Sequence, residues 1–190
     1  IVPERIDDYT WENDKVAFRT YGPAAQLLVE GGKKGGIISS GIDCWLKKVD
    51  YPIINKWYKE SEEKGISYHE DHGEGLDNYH VGASRGAGGL ALKMGGKYYV
   101  SKNFINHETI SNGPLRTVFR LDYEDWDGPH GKISEHKIIS LEKGSNLSKI
   151  EVNIKGTNKI SAGISLQENN GSIEEINNGI LLKQNHFETI

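Results

Sequence analysis

The chain has 190 residues, 36% of them apolar and 26% charged, with a formal net charge of -4. This composition excludes an intrinsically disordered chain and gives no basic field for nucleic acid, and no stretch approaches the roughly 20 apolar residues that span a bilayer. The lone cysteine, Cys44, excludes an internal disulfide framework and a multi-cysteine zinc site.

Twenty-three glycines against five prolines mark a chain that turns often. The acidic residues Asp7, Asp8, Glu12 and Asp14 read as a turn before the first strand, which Val16 to Tyr21 supply. Gly31 to Gly36 reads as a mobile hairpin tip. One helix is expected next. Pro52 suits a first helical turn, Ile53, Ile54, Trp57 and Tyr58 share a face, and Gly65 can end it. Further strands follow at Lys97 to Ser101, Lys132 to Leu141, Leu147 to Ile154 and Ile160 to Leu166. The clearest strand alternates Leu115, Thr117, Phe119, Leu121 and Tyr123 with Arg116, Val118, Arg120 and Asp122, one face apolar.

Strands that follow strands without intervening helices predict an all-β, antiparallel β-sandwich with one short helix, alone or as part of a larger supersandwich. No repeat or linker divides residues 1–190, which read as a single domain. Asn169 to Gly179 is loop and hairpin chemistry. The chain then stops just after the apolar segment Ile180 to Leu182 begins, so it reads as a fragment of a longer protein.

The chemistry concentrates in Tyr68-His69-Glu70-Asp71-His72-Gly73-Glu74-Gly75. Two imidazoles among carboxylates suit a catalytic histidine, with His69 and His72 the candidates, or a divalent metal site; a solvated loop is the bland alternative. The spacing matches no standard zinc signature, which favours the first reading. Val81 to Gly89 follows, where glycines let backbone approach a ligand and Arg85 offers a fork for carboxylate or sulfate. It lacks the Gly-Lys-Ser/Thr of a phosphate loop, and no Gly-x-Ser-x-Gly elbow occurs anywhere. Trp57 is a candidate for stacking on a sugar face. Arg116, on the polar face of its strand, is a second candidate substrate contact or simply a surface charge. His107, His130 and His136 are scattered and read as structural or solvated.

Several segments carry a resemblance in their order: Pro3 to Asp14 running to Phe18-Arg19-Thr20-Tyr21-Gly22-Pro23, then Asn55-Lys56-Trp57-Tyr58. Tyr68 to Asp77, Gly82 to Gly89, Asn112 to Arg116 and Gly144 to Leu147 complete it. Together they resemble a poorly characterised all-β family of bacterial polysaccharide-utilisation loci, one that takes in ulvan oligosaccharide dehydration. The resemblance covers about residues 3 to 150 and implies a periplasmic or secreted protein acting on acidic oligosaccharides. It implies β-elimination at a non-reducing-end uronic acid: a base removes the C5 proton, a cation neutralises the adjacent carboxylate, and the oxygen at C4 leaves protonated. His72 or His69 would be the base, Tyr68 its acid or base partner, and Arg85 the carboxylate clamp. A divalent metal on His69, Asp71 and Glu74 would share the clamp role. Two competing expectations are a glycoside hydrolase drawing two carboxylates from Glu70, Asp71 and Glu74, and a non-catalytic carbohydrate-binding module.

Overall fold

The computed structural model describes residues 5–82, 84–165, 171–177 and 179–183. In chain order the elements are β1 (Tyr9–Glu12), β2 (Val16–Thr20), α1 (Pro23–Glu30), β3 (Asp43–Lys47), α2 (Ile54–Lys64), β4 (Gly75–Asp77), β5 (Ala87–Met94) and β6 (Lys97–Tyr99). They continue with β7 (Phe104–Asn112), β8 (Arg116–Tyr123), β9 (Trp126–Gly128), β10 (Gly131–Glu142), β11 (Ser148–Lys155), β12 (Ser161–Ile164), β13 (Ser172–Ile176) and β14 (Gly179–Lys183). Every strand pairing is antiparallel.

Strands β1-β2-β3-β4 form one sheet and β11-β10-β8-β7 the core of a second, with β9 folded onto β10. A smaller sheet, β12-β5-β6, and the hairpin β13-β14 complete the described residues. The two larger sheets pack face to face. Tyr9, Trp11, Phe18 and Ile42 of the first meet Phe104, Phe119, Leu121, Tyr123, Ile139 and Leu141 of the second in one apolar cluster. Period-two alternation builds this contact, since it sends Phe119, Leu121 and Tyr123 inward. The strand read most clearly from the sequence, β8, lies between β7 and β10. Leu115 does not join the apolar face; it precedes the strand and is 70% exposed. Of the strand expected over Ile160 to Leu166, the described part is β12, and Leu166 lies outside the described residues.

The helix expected after Pro52 is α2, which buries Ile54, Trp57 and Tyr58. Gly65 ends it at φ 67°, donating back to the Ser61 carbonyl. A second helix, α1, was not expected. Pro23 opens it, and Gly31, read as part of a hairpin tip, is instead its C-cap. The acidic residues near the N-terminus do more than turn the chain. Asp7 accepts the Ala24 N–H at the start of α1 (2.8 Å). Glu12 accepts the Ile53 N–H (3.0 Å) at the start of α2 and also holds Lys47, whose side chain is fully buried. Asp14 accepts the Gly144 N–H (2.7 Å) and ties β2 to the second sheet. Carboxylates at these helix starts satisfy amides that have no partner within the helix.

Candidate functional site

Alternation along β2 and β3 gives the first sheet two different faces. Phe18 and Ile42 face the second sheet, whereas Ala17 and Trp45 pack under α2. Arg19 and Asp43 share that second face and are almost wholly buried there. Arg19 donates through Nε to Asp43 Oδ2 (3.1 Å) and through Nη1 to the Tyr58 hydroxyl (2.7 Å), and its Nη2 also meets Asp43. Asp77 on β4 lies 3.4 Å from Nη2. The Arg19 guanidinium also sits over the rings of Tyr21, Trp45, Tyr58 and Tyr68. Burial, reinforced by the neighbouring Asp43, pushes the Asp77 carboxyl well above the carboxylate range against the opposing pull of Arg19. Burial likewise raises Asp8 to about 6, although Arg19 and Arg5 oppose it.

Over this network lies the segment from 66 to 74. Tyr68 stacks on Trp45 (5.1 Å), which stacks in turn on Trp57 (5.5 Å). His69 packs against Tyr68 at 4.5 Å and is 60% exposed. Its Nδ1 lies 3.2 Å from the Asp77 carbonyl oxygen and 3.4 Å from the Asp77 carboxyl. A carbonyl can only accept, so the neutral imidazole carries its proton on Nδ1 and its lone pair on Nε2. By the same argument His72, whose Nε2 lies 3.1 Å from the Ser67 carbonyl, carries its lone pair on Nδ1. A cleft of about 310 Å³ opens beside His72, lined by Lys56, Trp57, Glu60, Ile66, Ser67, Tyr68, Glu70, His72, Glu74 and Gly75, and His69 stands outside its wall, next to Tyr68.

The structure gathers Tyr68, His69 and His72 in one segment but does not bring Arg85 to them. Arg85 donates to Ser40, and it lies near Glu135 and the neutral Tyr123 phenol, on the inner face of the second sheet. It therefore lies across the first sheet from His69, because Ile42, its backbone partner, points opposite to Asp43. The expected metal triad is not assembled either. Asp71 turns to Lys48 and the amides of Gly73 and Gly75, while Glu74 takes Lys56, Tyr51 and the Trp57 indole N–H (2.9 Å). Among the described residues no three His, Cys, Asp or Glu side chains converge as a metal site. Lys48 holds Asp71 below its ordinary range, and Lys56, Tyr51 and Trp57 lower Glu74 to about 2 despite its partial desolvation.

Trp57 is 6% exposed, so it is a core residue whose edge reaches the cleft and not an open stacking platform. Arg116 lies at a different cleft, beside Asn112 to Thr117, where it pairs with Glu142 (2.9 Å). The sequence reading assigned no role to Arg19, Asp43 or Asp77. A signal was present, since Arg19 follows the apolar run Val16-Ala17-Phe18 and Asp43 stands between Ile42 and Cys44, and a charge in such a setting needs a buried partner.

The family model described as "Domain of unknown function (DUF4861)" matches residues 1–185. The uncharacterised protein P7 of Formosa agariphila is 56% identical over 174 residues, which is 92% of this chain and 44% of that protein. The chain thus spans less than half the length of this curated relative. No solved structure matches it. On the extent of the family match and this identity, the chain belongs to the DUF4861 family.

Proposed function

We propose that the domain is carbohydrate-active and carries out β-elimination at a uronic acid of polysaccharide-derived oligosaccharides, in an exported bacterial protein. The observation that carries this reading is the orientation of His69. An exposed imidazole is held by the buried main-chain carbonyl of Asp77 so that Nε2 bears the lone pair, and the Asp77 side chain stands 3.4 Å from Nδ1. In the proposed step Nε2 takes the C5 proton, the C4–oxygen bond breaks, and the electrons left at C5 form the C4=C5 double bond. The leaving oxygen departs protonated, with Tyr68 as the donor beside His69. Lys56 is the cation in the wall of the cleft. This role passes to it from Arg85, which faces the other side of the sheet.

Elimination is favoured over glycoside hydrolysis by the state of the carboxylates. Hydrolysis needs a general acid whose pKa is raised. Glu74 and Asp71 are instead lowered by lysine partners and act as braces of the loop, and the raised carboxyls, Asp77 and Asp8, are buried and stand outside the cleft wall. A non-catalytic module would have no use for an imidazole oriented from behind. The resemblance to ulvan oligosaccharide dehydration supplies the substrate class and extends to the family as a proposal only.

The test is incubation with uronic-acid oligosaccharides while following ring-double-bond absorbance and product mass. Wild type should produce the unsaturated sugar, and His69→Gln should lose about 100-fold or more of the rate. Products that gain a water without unsaturation would replace elimination with hydrolysis. Undiminished turnover in folded His69→Gln would remove His69 as the base.

A further inference from the structure

A third cleft, of about 470 Å³, lies beyond the first sheet from His69 and is bordered by Arg85, Tyr98, Val100, Gly163, Ile164 and Ser165. The fold makes room for Arg85 there. Gly89 and Gly163 stand opposite one another across β5 and β12. A Cβ on Gly89 would fall 2.3 Å from the Arg85 main-chain oxygen and 2.6 Å from its Cβ, so a side chain there would crowd the arginine, whereas Gly163 leaves the Arg85 stem an ordinary contact at 3.7 Å.

The charge at this place is not balanced. Arg85 is half-buried, and among the described residues its Nε is shielded from solvent with no hydrogen-bond partner and its guanidinium reaches only the neutral Ser40 hydroxyl. The carboxylate it senses, Glu135, is fully buried, lies 3.1 Å from Lys137 through Oε1 and accepts the Trp126 indole N–H through Oε2 (3.1 Å), with no hydrogen bond to Arg85. Lys137 is equally buried, so this interior end of the sandwich holds two cations and one carboxylate. Among the described residues no acidic side chain borders the cleft or forms an ion pair with Arg85. A desolvated guanidinium is ordinarily paired, and its planar fork matches carboxylate or sulfate oxygens. Tyr98, 57% exposed with Lys93 5.2 Å from its ring centroid, adds an aromatic wall and further positive charge.

We infer that this cleft is a second ligand site, in which Arg85 binds the carboxylate or sulfate ester of a ring compound whose apolar face rests on Tyr98. That the ring is an acidic sugar rests on the function proposed above; the anion does not, because Arg85 alone demands it. Both anions present the same oxygens to the fork, and the experiment separates them.

The ¹⁵N-labelled 190-residue chain is titrated with D-glucuronate, with glucose 6-sulfate and with glucose, following the Arg85 Nε–H signal and the amides of Gly86, Gly163 and Ser165. Either charged sugar should shift these signals, glucose should not, and the stronger of the two names the anion. Arg85→Gln should weaken binding at least about tenfold, with Arg85→Lys recovering part of the loss. The Arg85 Nε–H readout needs no variant, so a misfolded substitution leaves the test intact. Equal shifts from glucose, silence from both charged sugars, or wild-type affinity in folded Arg85→Gln would each overturn the site. His69→Gln serves to separate the two ideas. If it is fully active on uronic-acid oligosaccharides, the His69 mechanism falls, while binding at Arg85 is judged on its own signals.

Discussion

Replacing Arg19 with methionine and Asp77 with asparagine should have very different costs, although the two side chains lie in one buried network. Arg19 makes contacts through all three guanidinium nitrogens, two of them to Asp43 and one to the Tyr58 hydroxyl. Arg19→Met keeps much of the volume but strands the Asp43 carboxyl, which is 1% exposed, without its cation. Breaking one side of a buried pair typically costs about 3–5 kcal/mol, a large share of the roughly 5–15 kcal/mol by which a domain is stable. Asp77 is different. Burial and Asp43 hold its carboxyl well above the usual range, so the neutral acid is the form favoured near neutral pH, and an amide of the same shape replaces it. The Asp77 side chain meets Asp43 and lies 3.4 Å from both Arg19 Nη2 and His69 Nδ1, contacts that an amide of the same shape can largely keep, so Asp77→Asn should cost about 1 kcal/mol. Urea unfolding at pH 7, followed by far-ultraviolet circular dichroism and by tryptophan fluorescence, measures both. The reasoning is refuted if Asp77→Asn destabilises as much as Arg19→Met, since Asp77 would then be an ionised partner of the arginine.

Stability should peak on the mildly acidic side. Asp8 has a folded-state pKa of about 6 against an ordinary 3.8, so its contribution, about 3 kcal/mol, is complete below about 4 and is lost as pH rises through 6; Asp77 shifts in the same direction. Glu74 and Asp71 act oppositely, stabilising above their ordinary values and losing that effect as pH falls, so urea midpoints that climb steadily from pH 4 to pH 8 would contradict the assignment. Glu12→Ala should cost about 3 kcal/mol by leaving Lys47 buried without its carboxylate and the Ile53 amide unmet, and Glu12→Gln, which keeps an acceptor, should cost less; equal thermal shifts for the two would argue against the capping role. Gly86→Ala should destabilise by about 1–3 kcal/mol or more, because residue 86 sits at φ +59° and a Cβ there would lie 1.9 Å from the Ile42 oxygen. An unchanged melting temperature would show that the bridge between Ile42 and Gly86 can relax.

The sandwich was legible because its signals are local. Alternation through Phe119, Leu121 and Tyr123 needs only the period of a strand, and Pro52 with Gly65 brackets α2 through backbone restrictions that those residues carry anywhere. Helix α1 was harder to read, since it is only eight residues long and leaves Leu27 65% exposed, so no clean apolar stripe marks it. The histidine-rich segment stood out by composition, but its geometry did not. Arg19, Asp43 and Asp77 are 24 to 58 positions apart in pairs, and Arg85 lies 50 positions from Glu135. Whether such charges meet depends on which strands pair and in what register, and a shift of one residue would turn each to the opposite face. Residue identity therefore determined which groups could do chemistry. Tertiary packing, of the loop and α2 onto the paired strands, decided that His69 is backed by Asp77, that Glu74 serves Lys56 and Trp57, and that Arg85 belongs to the other side of the sheet.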